Sequence, residues 1–206
     1  MRGVARAGAV FVVLFAAAFA LSLGDLVGAF ADPDRVFVDR FADSGKRARD
    51  IAGSYLLAFA GLTFVWFAHA LSREADDRSP ILIAGSIAAG GMMVAAIAFA
   101  TVPMSLWFGS LVDDPGLQEG QAVLPQLGYV ALAMGAMLPA AAFIVCVART
   151  PGLIPRWLAI ASYPVAALVA FTALLFMPLF VFVAWVVAVV VTHWRRPADA
   201  REIAGP

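Results

Sequence analysis

Charge is scarce in this chain, and so are the residue types that build catalytic clusters. Of 206 residues, 14 are Lys or Arg, 14 are Asp or Glu and two are His, so the formal net charge is zero. Charged residues make up 14% of the chain, where soluble domains carry about 25%. The balance gives no electrostatic footprint for nucleic acid. A single cysteine, Cys146, excludes an internal disulfide and a cysteine-cluster metal site. No catalytic or cofactor motif is present, so no cofactor is expected. Lysine is nearly absent: Lys46 stands against 13 arginines, a codon-level bias with no bearing on topology.

What is abundant is apolar. Hydrophobic residues make up 63% of the chain, and mean hydropathy is +0.92. In the 42 residues from Leu153 to Trp194, Arg156 and His193 alone can carry charge. As one helix this run would be about 60 Å long, twice the ~30 Å hydrocarbon core of a bilayer. Two helices joined by a tight turn fit it, and Met177-Pro178 sits where the turn belongs.

The same reasoning along the chain gives an all-α, polytopic transmembrane bundle in a single domain. Six spans are expected, at about 7–30, 51–71, 81–101, 127–148, 157–176 and 179–194. Residues 31–50 and 109–125 are the sizeable loops, and 197–206 is a polar tail expected to be disordered. The first run resembles a signal peptide, with Ala29-Phe30-Ala31 as a cleavage site. It is read as a retained span, because it is long and Asp25 separates it from that site. Pro139 and Pro164 should kink spans 4 and 5. Small residues in spans 3 and 4, among them Gly85, Gly90, Gly91, Gly128 and Gly135, should let helices approach closely. The Tyr55, Phe59, Trp66 stripe reads as packing or lipid contact.

Six spans put both termini on one side. That side would hold nine basic residues, and the other five, all between Arg35 and Arg49. Positive charge marks the cytoplasmic side, so both termini are expected there. The first loop conflicts with this in part, but five aspartates are interleaved with its basics.

That loop carries the densest local pattern. Residues 33–42 read as a short amphipathic helix outside the bundle. Asp43-Ser44-Gly45 reads as a turn and cap opening span 2. Arg47, Asp50 and Ser54 share a helix face, while Arg49 points elsewhere. Asp25 is a carboxylate inside an apolar stretch, and such a group is a functional candidate. Asp25, Arg47, Arg49 and Asp50 are therefore the candidate polar or ligand cluster. Its plainer reading is an ion-pair network pinning the loop over the bundle. The acids Asp113, Asp114 and Glu119 fall on the same expected side and offer partners rather than a cation site. At the other end, His69, Cys146 and His193 lie at similar depth, but their spacing does not require a metal.

Taken together, Asp43-Ser44-Gly45-Lys46-Arg47-Ala48-Arg49 followed by Tyr55, then Gln126-Leu127-Gly128-Tyr129, then Ile154-Pro155-Arg156-Trp157-Leu158 before an apolar hairpin is similar to a family of small six-span bacterial membrane proteins, a domain of unknown function. The resemblance spans nearly the whole chain. It implies six spans and a bacterial cytoplasmic membrane, and it implies no catalytic residue. The expected role is non-enzymatic: a structural or accessory protein among membrane lipids, holding a lipid-like or small ligand beneath the first loop. A small transporter is the alternative, and an intramembrane enzyme ranks below it.

Overall fold

In an apolar solvent every backbone N–H and C=O must find its partner within the chain, which leaves the helix as the unit of construction here. The computed structural model describes residues 2–23, 43–75, 78–107, 117–171 and 178–195. Their regular structure is helical throughout, in six helices. Helix α1 runs as Arg2–Ala18 and continues into wider π-type turns at Phe19–Leu23. Helices α2 (Ser44–Ser72) and α3 (Ser79–Trp107) have 29 residues each. Helix α4 covers 117–149 and is built from an α-segment Leu117–Val130, a π-segment Ala131–Met137 and an α-segment Leu138–Arg149. Helices α5 (Arg156–Ala170) and α6 (Pro178–Trp194) form the closing hairpin.

Four of these helices, α1 to α4, are long and apolar enough to cross a membrane. The other two have 15 and 17 residues, about 22–26 Å of helix. Over the described residues they are shorter than a bilayer core. Residues 172–177, where the hairpin turn was expected, lie outside the described residues, as do 24–42 and the tail. The amphipathic segment at 33–42 is therefore outside them too.

One boundary differs from expectation. The loop expected at 109–125 is already helical from Leu117, because Leu117, Gln118 and Glu119 are good helix formers ahead of the apolar run. Helix α2 begins where expected, at the cap that Asp43 provides, seven residues before its apolar span.

Each helix packs on the next in the chain, and α6 returns to α1. Gly8 of α1 faces Val190 of α6 and Phe67 of α2, which makes these neighbours antiparallel. This is an up-and-down ring. It brings Arg6, Arg73, Arg78, Arg149, Arg156 and Arg195, all exposed, to one end. The middle of the ring is aromatic. Phe64 of α2 lies 5.0 Å from Phe11 of α1, 5.1 Å from Phe143 of α4 and 5.6 Å from Phe182 of α6, centroid to centroid. Phe143 also meets Trp185 edge-on at 6.0 Å. Tilted and edge-to-face pairs of this kind add about 0.5–1.5 kcal/mol each beyond the area they bury. The outer surface is apolar as well: Val13, Trp66, Ile97, Ile160 and Trp157 are each more than 60% exposed. Tyr55 and Phe59 join Trp66 on that outer face, so the stripe does not pack in the core.

The α3–α4 seam has a different chemistry. A Cβ on Gly91 would collide with the backbone of Gly135 and Ala136. These residues lie in or at the π-segment of α4. Pro139 explains the wide turn. It has no N–H for the carbonyl four residues back, Gly135, and its ring would strike that carbonyl in a regular α-helix. The wider turn relieves the clash, and Gly91 lets α3 sit directly on the altered backbone. At Pro139 the chain thus passes from π-type to α-type turns.

Gly90, one residue away, faces open space. Gly91→Ala should therefore cost about 1–3 kcal/mol by overpacking. Gly90→Ala should be neutral or stabilise by up to about 1 kcal/mol through helix propensity. Thermal unfolding in one detergent checks the pair, and equal shifts would remove the seam from the account.

Candidate functional site

Of the candidate residues, Arg47, Arg49 and Asp50 are described, and Asp25 lies outside the described residues. The site starts at the cap of α2. The side chain of Asp43 accepts hydrogen bonds from the backbone N–H groups of Gly45 at 2.7 Å and Lys46 at 3.2 Å. Those bonds hold its carboxyl below the usual aspartate range, with smaller help from the charges of Lys46 and Arg49. The cap fixes where α2 begins, and so fixes the face on which each later side chain falls.

One turn on, Arg47 is half-buried, Asp50 is 5% exposed and Ser54 is 3% exposed. Ser54 Oγ donates to the Asp50 carbonyl at 2.8 Å. The shared face expected of Arg47, Asp50 and Ser54 is therefore turned inward, and Arg49 stands exposed away from it. Arg47 Nε is enclosed, with no hydrogen-bond acceptor among the described residues. Neither Arg47 nor Arg49 forms an ion pair with a described carboxylate. Of the two described aspartates expected as partners, Asp43 is taken up by its cap and Asp50 is buried one turn beyond Arg47. Asp25, Asp39, Asp113 and Asp114, the other expected partners, lie outside the described residues.

Below this polar layer the α2–α3 surface opens. A groove of about 240 Å³ runs between the helices, lined by Ser54, Tyr55 and Ala58 on one side and Ile97, Ala100 and Thr101 on the other. Alanines form its floor because larger side chains there would close it. Two of its hydroxyls are already committed as donors: Ser54 to the Asp50 carbonyl, and Thr101 Oγ1 to the Ile97 carbonyl at 2.7 Å. They can still accept. The groove is thus apolar along its length and weakly polar where it meets the Asp50 layer.

The opposite end holds contacts the sequence did not single out. His193 is buried at the end of α6. Its Nδ1 lies 2.9 Å from the Val189 carbonyl, which makes Nδ1 the donor. Its Nε2 is 3.6 Å from the Glu74 carboxylate in the α2–α3 turn. His69 is exposed, and Cys146 is partly buried. The three do not converge, and no group of three or more metal-binding side chains occurs among the described residues. Trp185 Nε1 donates to Ser162 Oγ at 2.8 Å, and Ser162 donates to Leu158 O at 2.7 Å, tying α5 to α6. Glu74 stands in a polar turn and Ser162 in an apolar helix. Neither context distinguishes them in sequence.

The cap offers a test with a defined sign. The Asp43 carboxyl is held below its ordinary pKa in the folded chain, so its stabilisation is fully present above about pH 4 and fades as pH falls through the lower folded value. Asp43→Ala should unfold at a lower temperature than wild type at pH 7, with Asp43→Asn in between. The gap to wild type should narrow at acid pH, and a gap that widened there would exclude the cap. In comparison with known proteins, no family model matches the chain, and no curated protein or solved structure matches it either.

Proposed function

We propose that the chain is a six-span protein of a bacterial cytoplasmic membrane, with both termini in the cytoplasm. Its role is non-enzymatic: a structural or accessory protein that holds a lipid-like or small ligand in the α2–α3 groove. One observation carries this reading. The groove is apolar and opens on the outer face, and Ser54 at its far end lies one turn from the buried Asp50 and two turns from the enclosed Arg47. An acyl or isoprenoid chain would lie along the alanines, with its polar end toward the start of α2. The six exposed arginines at the other end support a cytoplasmic placement of that end. Small lining residues favour a ligand bound for residence, since no charged side chain among the described residues lines the groove to drive it through.

A second reading, a small transporter, has one specific support: the π-segment of α4 seated on Gly91. Irregular helices of that kind line translocation paths in transporters. Uptake of a substrate into liposomes holding the purified chain would favour it.

Two measurements test the first reading. Reporters fused after residue 201 and within 72–79 should report cytoplasm, and one within 115–120 the exterior. Ala58→Phe and Ala100→Phe, which fill the groove, should lower the amount of lipid-like ligand that co-purifies by about tenfold, or ~1.4 kcal/mol. Unchanged ligand content with a fully folded variant would sink the groove as its site.

A further inference from the structure

A second groove, of about 650 Å³, lies between α5 and α6 at the arginine-rich end. Its floor is one face of α6. Ala184, Val187, Ala188 and Val191 fall at i, i+3, i+4 and i+7, the spacing of a continuous helical stripe. The stripe does not stop there. The next two positions on it are Thr192 and Arg195, and both line the same groove. The track from Ala184 to Arg195 is therefore about 16 Å long, apolar for most of that length, with a hydroxyl and a guanidinium at its end. Across from them stands Trp157, 61% exposed, at the start of α5. Arg156 beside it is exposed too.

We infer that this groove is a binding site for an anionic membrane phospholipid, one acyl chain lying on the Ala184–Val191 stripe and the headgroup phosphate meeting Arg195 and Arg156. The chemistry selects the occupant. A linear apolar track that ends in a cation and an indole, with the exposed Arg156 next to that indole in sequence, matches a molecule with a chain and an anionic head. An indole at that level is the side chain that membrane–water boundaries favour. Among the described residues no carboxylate lines the groove. A second copy of the chain is a poor fit, because Glu74, a described carboxylate at this end, is directed at His193. The α2–α3 groove, by contrast, has no charged residue among the described residues that line it and gives no reason to prefer an anionic head. The inference rests on the membrane setting proposed above but not on occupancy of that other groove.

The test uses the full chain in a neutral detergent, with phosphatidylglycerol and phosphatidylcholine of matched chains added in equal amounts. Bound lipid is counted by native mass spectrometry. An arginine at a membrane surface favours an anionic lipid by about fivefold, so at least that preference for phosphatidylglycerol is expected. Arg156→Gln with Arg195→Gln should bring phosphatidylglycerol down to the phosphatidylcholine level and leave the latter unchanged. Arg195→Lys should keep the preference, and Arg78→Gln, a cation of the same end outside the groove, should not alter it. Val187→Trp, which fills an exposed part of the track, should reduce both lipids. Ala58→Phe, which closes the α2–α3 groove, should leave the preference intact, so failure of the two sites can be told apart. Equal retention of the two lipids by wild type, a preference that survives loss of both arginines, or one abolished by Ala58→Phe would each overturn the inference.

Discussion

Surrounded by apolar solvent, helices gain little by hiding apolar faces from one another. What holds them together is the quality of contact. In this protein that contact is concentrated where Phe64 meets rings from three other helices. A ring from α1, one from α4 and one from α6 converge on a side chain of α2, so the centre of the bundle is filled by aromatic volume. The glycines do the complementary work at the seams. Gly8, Gly85 and Gly128 each face a side chain of a neighbouring helix at close range, and Gly91 faces backbone. Large groups at the axis and missing groups at the seams are two halves of one packing solution.

That solution also explains the grooves. A ring of helices packed through aromatics at its centre has little left to seal its outer seams, where residues such as Ala58, Ala100, Ala184 and Ala188 leave shallow channels. The α2–α3 channel ends at a buried carboxylate-bearing turn, and the α5–α6 channel ends at a guanidinium. The same architecture thus offers two apolar tracks with different polar ends, at opposite ends of the ring.

Much of the fold is legible in the residues, because hydrophobic length and capping are local properties. The apolar runs locate all six helices, and Asp43 marks the start of α2 through chemistry confined to three residues. The outward Tyr55, Phe59, Trp66 stripe follows from helical spacing. The candidate site is less legible. Spacing places Arg47 and Asp50 on one face, but which way that face turns depends on α3, and a periodicity within α2 carries no information about α3. The Ser162–Trp185 and Glu74–His193 contacts join residues far apart in the chain, and nothing local announces either. The start of α4 is hidden in the sequence because Gly120 and Pro125 look like loop residues, whereas the helix continues through both.

The wide turn of α4 has a consequence for how this chain can change over generations. A helix of regular pitch turns 100° with each residue, so a segment wound more loosely carries an altered phase into everything that follows it. Phe143, which meets Phe64 and Trp185, lies beyond the Ala131–Met137 segment and depends on that phase. Losing one codon between 131 and 137 would leave hydropathy nearly untouched and would still swing Phe143 away from the axis. Substitutions on the outer face meet lipid and are forgiven, but insertions and deletions upstream of Phe143 are not. In this stretch of the gene, length is under tighter constraint than letter.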